Sequence, residues 1–209
     1  MTRLLLSILL ALLPASIAPA GIVAYVDVDG HAEPWGAWPD ANATPFTNTD
    51  RLNLALDYVA GHWHGLDIDW QIGNPPALIA NETLAVRLSG DRGSWISGYA
   101  GIAYVSGALY DWLPGDAYVF GGWSQLFDPI AMAQVISHET GHLLGLGHSD
   151  DPASIMYHGV ATNGGASDAF TPAEHAQLAA TIGTRAVPEP SGVVALLLPA
   201  AFLLLRRTH

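Results

Sequence analysis

The stretch His138-Glu139-Thr140-Gly141-His142, followed by Gly145 and His148, constrains this chain more than any other part of it. Asp128-Pro129 upstream offers an N-cap and a proline at the first helical position, so a helix is predicted from there to about Leu144. Residues four apart share one face of a helix, so the imidazoles of His138 and His142 can meet at a single ion. Glu139 lies one step round the helix, near enough to hold a water bound to that ion. Ile130, Met132, Val135 and Ile136 would bury and stiffen the preceding turns. Gly145 lets the chain leave the helix through a conformation other residues resist, which brings His148 back as a third ligand. Three neutral imidazoles leave one position open for water, the arrangement of a catalytic zinc ion, one per chain. A closed structural zinc site fits poorly, because no fourth ligand is evident and Glu139 would have no task. The chain has no cysteine, so thiolate ligands, disulfides and a cysteine nucleophile are excluded.

The run from His138 to His148 resembles the metzincin metallopeptidases, and Ser154-Ile155-Met156-Tyr157 is similar to their Met-turn. Ser149 and the short gap to Met156 resemble the matrixin branch in particular. Gly101-Ile102-Ala103-Tyr104 and Gly115-Asp116-Ala117-Tyr118 resemble the upper sheet strands of matrixins, and Phe170 to Glu174 the start of their last helix. The resemblance implies metal ligation by His138, His142 and His148, Glu139 as general base, and Met156 as a floor beneath the histidines. It also implies an extended peptide substrate beside an edge strand, with the backbone of Ile102 and Ala103 as the pairing residues. Tyr157 is a separate candidate for lining the substrate pocket, with an ordinary loop tyrosine as the alternative reading. The positions for a matrixin structural zinc fall on Ser89, Tyr104 and Tyr118, with only Asp91 retained, so that second zinc is not expected here.

The two ends read as addresses. Arg3, the apolar run Leu4 to Leu13 and Ala18-Pro19-Ala20 make a secretory signal over 1–20, cut by signal peptidase after Ala20. At the other end, Pro188-Glu189-Pro190, an apolar run to Leu205 and Arg206-Arg207 resemble a PEP-CTERM sorting signal over 187–209. That resemblance implies transient membrane anchoring through a transmembrane helix, processing by an exosortase, and a place on the cell surface or in the extracellular matrix of a Gram-negative bacterium. The catalytic domain is then 21–186.

Ile22 to Val28 is rich in β-branched residues and reads as a strand. A helix capped by Thr49 or Asp50 should run to about Ala60. Leu66, Ile68, Trp70 and Ile72 alternate with polar residues, the pattern of a half-buried strand. Leu84 to Leu88, Gly101 to Val105 and Ala117 to Phe120 are further short strands. Thr171-Pro172-Ala173-Glu174 carries a capping box, and its helix should end near Gly183. Strands and a helix followed by two helices indicate an α+β domain: a twisted mixed sheet, an active-site helix and a C-terminal helix.

Nineteen acidic residues against seven basic, with no lysine, would repel phosphates, so nucleic acid is not a partner. Scattered aspartates offer oxygen ligands, which leaves Ca2+ open as a second cofactor. His62 and His64, flanking Trp63, read as a solvated helix end. The spacing from Met156 leaves a metal role for His158 open. The function these features define is an exported zinc endopeptidase acting on peptide or protein. Its rivals are a non-catalytic surface or matrix protein on the same scaffold and a metal hydrolase with a non-peptide substrate. The intact Glu139 argues against the scaffold reading.

Overall fold

The computed structural model describes residues 21–29, 44–90, 101–103, 105, 107–109, 115–121, 128–158 and 169–185. The chain runs β1 (Ile22–Asp27), α1 (Thr49–His62), β2 (Ile68–Ile72), β3 (Thr83–Ser89), β4 (Gly101–Ala103), a 3-10 turn (Gly107–Leu109), β5 (Asp116–Phe120), α2 (Pro129–Leu143) and α3 (Pro172–Ile182). The five strands form one sheet in the order β2-β1-β3-β5-β4. β1 is parallel to β2 and β3, β3 is parallel to β5, and β4 alone runs antiparallel, against β5. Parallel neighbours need a crossover connection, and α1 supplies it between β1 and β2. The α+β class with a mixed sheet, an active-site helix and a C-terminal helix is thus the observed one.

The core follows from register. Ala24 pairs with Leu84, Val26 with Val86, Val86 with Ala117 and Leu88 with Val119. These buried residues share one apolar cluster with Leu52, Ala55 and Val59 of α1 and Met132, Val135 and Ile136 of α2. β3 is buried along almost its whole length because it lies mid-sheet. β2 is an edge strand, so the apolar face read from its alternation fades: Ile68 is 4% exposed and Ile72 52%. α1 begins one residue earlier than the nominated caps, with the Asn48 side chain accepting from the backbone N–H of Arg51. Ser, Thr, Asn and Asp can all accept this bond, and Asn48 is the one placed to do so here.

Beside this apolar cluster, the sheet holds a buried ion cluster. Arg87 of β3 donates through Nε to Asp116 (2.5 Å) and through one terminal nitrogen to Asp27 (2.8 Å). All three residues are buried. Arg87→Ala would leave two buried carboxylates without their cation, at a cost of about 3–5 kcal/mol. A matching fall in the denaturant midpoint, with the slope unchanged, is the expected result. A shift of less than about 1 kcal/mol, the scale of an exposed pair, would contradict it.

Among the described residues no helix is long and apolar enough to cross a membrane. The helices have 14, 15 and 11 residues, and a crossing needs about 20 apolar ones. The expected PEP-CTERM sorting anchor, with its transmembrane helix and transient membrane anchoring, is corrected on that ground. Residues 1–20 and 187–209 themselves lie outside the described residues, as do Asp91 and Tyr104.

Candidate active site

The site is assembled on the C-terminal half of α2. Asp128 caps the helix by accepting from Ile130 N, with Pro129 in the first turn as predicted. The helix ends in a Schellman arrangement. Leu146 N donates to Gly141 O and Gly145 N to His142 O, both at 2.9 Å. Gly145 sits at φ 95°, a conformation that a residue with a Cβ adopts only under strain. This turn carries His148 back toward His142.

The Nε2 atoms of the three histidines converge. His142 Nε2 lies 3.0 Å from His138 Nε2 and 3.3 Å from His148 Nε2. Two of the rings have their opposite nitrogens committed. His138 Nδ1 is 2.8 Å from Ile155 O, and His142 Nδ1 is 2.8 Å from Leu146 O. A carbonyl can only accept, so each Nδ1 carries the proton and each neutral ring turns a bare Nε2 lone pair toward the other. Lone pairs facing across such a gap repel unless a cation lies between them. Tetrahedral zinc bonds of about 2.0–2.1 Å separate neighbouring nitrogens by roughly 3.3 Å, so the donor set fits zinc. Burial, followed by the neighbouring His142 ring, holds His138 down to about 4. Burial also lowers His142. Both rings are therefore neutral near pH 7, the form a metal needs. Among the described residues these three side chains are the group of His, Cys, Asp or Glu brought within range of one ion, and no acidic calcium site forms there.

Glu139 is 5% exposed, and burial pushes its carboxyl up to about 8. Its backbone is part of the same pinned helix, and its side chain packs against Gly101 of β4. Met156 is fully buried under the helix, and a Cβ added at Gly141 would lie 2.5 Å from its Sδ. Met156 therefore reaches the helix only because residue 141 is glycine.

Several supports were not read from the sequence. Glu174, the capping-box residue of α3, accepts from Thr171 N and also from Ser154 Oγ, at 2.7 Å each. Ser154 Oγ in turn accepts from Met156 N at 2.9 Å. The C-terminal helix thus holds the turn whose Ile155 carbonyl orients His138. The capping box was legible as a helix start; its second use was not. His62, expected in solvent, is buried and hydrogen-bonded to Ser137 Oγ at 2.8 Å, and Trp63 Nε1 donates to the same oxygen. The expectation of a solvated end holds for His64 and fails for His62. Ile102 and Ala103 are half-buried on β4, at the end of the sheet. Tyr157 is half-buried with its ring 4.5 Å from that of His158. The His158 ring is 6.4 Å from that of His148 and stands outside the converging group.

A three-histidine metal site, with two ligands on one helix, the third past its terminal turn and a buried carboxylate next to the first, defines a zinc-dependent hydrolase. The matrixin family model matches residues 47–171, more than half of the 209, and the chain belongs to that family of metzincin-type zinc metalloendopeptidases. Matrixins are typically secreted, in keeping with an exported chain. No curated protein matches it.

Proposed function

We propose that the chain carries one catalytic zinc, held by His138, His142 and His148, and cuts extended peptides with Glu139 as general base. The observation that carries this reading is the set of convergent Nε2 atoms, two of them left bare by the carbonyls of Ile155 and Leu146. When bound, the zinc supplies a Lewis acid that acidifies water and polarises a carbonyl. Glu139 takes the proton of the attacking water and returns it to the amide nitrogen as the C–N bond breaks. Met156 serves as the floor beneath the histidines. The backbone of Ile102 and Ala103, on the edge strand β4, offers an extended peptide a strand to pair with, and Tyr157 is a further binding residue.

Residues 1–20 serve as an export signal, and 21–186 form the working domain outside the cytoplasm. The narrower assignment to a Gram-negative surface loses its support with the sorting signal. A calcium role has no acidic cluster behind it among the described residues.

Purified protein, dialysed after zinc loading, should hold one zinc per chain and cleave a proteome-derived peptide library. Cleavage should stop with a chelator and return with zinc. Two tightly held zincs would break the single-site reading. A zinc-loaded protein that cuts nothing would favour the non-catalytic scaffold.

A further inference from the structure

We propose that Gly101 is a positioning residue for Glu139: the missing side chain at this point of β4 leaves the volume in which the Glu139 carboxylate sits. The inference rests on the peptidase reading and adds to it a residue from another part of the chain.

A Cβ built on Gly101 would lie 2.6 Å from Glu139 Oε1, 2.7 Å from Cγ and 2.9 Å from Cδ. Real Cβ atoms essentially never come within 3.0 Å of a neighbour, and here three atoms of one side chain are all inside that limit. The backbone does not call for glycine. Gly101 is absent from the positive-φ glycines, and it pairs with Val119 in an ordinary antiparallel register. At such a position glycine weakens a strand, by about 0.5–1 kcal/mol relative to alanine. Space is the remaining reason for it. Ala103, two residues along and so on the same face, is the next smallest side chain.

The helix side cannot give way easily. His138 and His142 flank Glu139 and are tied through Nδ1 to Ile155 O and Leu146 O, so rotating α2 would break both bonds. Gly141 rests against Met156 on the same helix. Among the described residues no hydrogen bond reaches the Glu139 carboxylate, so packing sets its place. A methyl group at 101 therefore has one soft neighbour to move, the carboxylate itself. The histidines, held separately, keep their geometry.

The test is a double-mutant cycle on the full, zinc-loaded chain: parent, Gly101→Ala, Glu139→Ala and the pair. Gly61→Ala serves as the control, since a Cβ there meets nothing within 4 Å. Gly101→Ala should keep one zinc per chain and a near-parental KM, while kcat falls about tenfold to a hundredfold, the scale of a misplacement near 1 Å. Glu139→Ala removes all three atoms that the new methyl would meet, so adding Gly101→Ala to it should cost almost nothing further in residual kcat or in melting temperature. Non-additivity of that kind reports direct contact. Unchanged kcat in Gly101→Ala, an equal loss in both backgrounds, or loss of zinc with activity would each overturn the proposal. If Gly101→Ala fails to fold, recovery of folded protein in the double variant supports the contact, and no recovery overturns it. A zinc-loaded parent that cuts nothing overturns the peptidase reading instead, and the same cycle read in melting temperature still decides the contact.

Discussion

Glu139→Gln keeps its zinc and loses at least about a hundredfold in peptide hydrolysis, the scale of general-base catalysis. The amide fills the carboxylate's volume beside Gly101 but accepts no proton at neutral pH. The ligands do not depend on it, because His138 and His142 are oriented by Ile155 O and Leu146 O. The same variant separates Glu139 from the histidines in the metal-free protein. Burial raises its carboxyl from an ordinary 4.5 to about 8, so the folded state holds a proton that the unfolded state releases. Its stabilising effect is complete below 4.5 and is lost as pH rises toward 8. His138, lowered from 6.5 to about 4, works the other way: its contribution grows between 4 and 6.5 and is complete above that. The histidine term is common to both proteins. Chelated parent should therefore lose stability relative to chelated Glu139→Gln as pH rises from 4.5 to 8. Parallel stability curves would contradict the burial argument, and equal hydrolysis by the variant would place the base elsewhere.

His142→Ala fails at an earlier step, by losing the metal. Its Nε2 is the central donor of the three, 3.0 Å from one partner and 3.3 Å from the other. Two imidazoles remain where zinc needs three protein ligands, and Leu146 O loses the N–H that oriented the ring. Zinc affinity should fall at least about a hundredfold, roughly 3 kcal/mol. Competition with a chelator of known affinity measures it. His64→Ala, at an exposed ring outside the site, should bind zinc like the parent. An unweakened His142→Ala would mean that the convergent histidines are not the metal site.

Local chemistry is why so much of this is legible in the sequence. The i, i+4 spacing of His138 and His142, the Asp128-Pro129 start, the turn at Gly145 and the Thr171–Glu174 box each lie within one or two helical turns. The rules that govern them involve neighbours in sequence. The strand alternation at Ile68 to Ile72 was also legible, but its burial was overstated, because alternation does not say which strand becomes an edge.

What the sequence determined by itself is the metal-binding helix, its ends, its third ligand and the base beside the first. The tertiary structure decided what steadies them. Ile155 O fixes the tautomer of His138, Glu174 braces Ser154 from the last helix, and His62 reaches Ser137 across 75 positions of chain. Gly101 lies 38 residues before the carboxylate whose space it leaves open. A glycine in a short strand and a histidine at a helix end each fit several environments. Which of them they meet depends on how distant segments pack, and only close packing of the folded chain settles that.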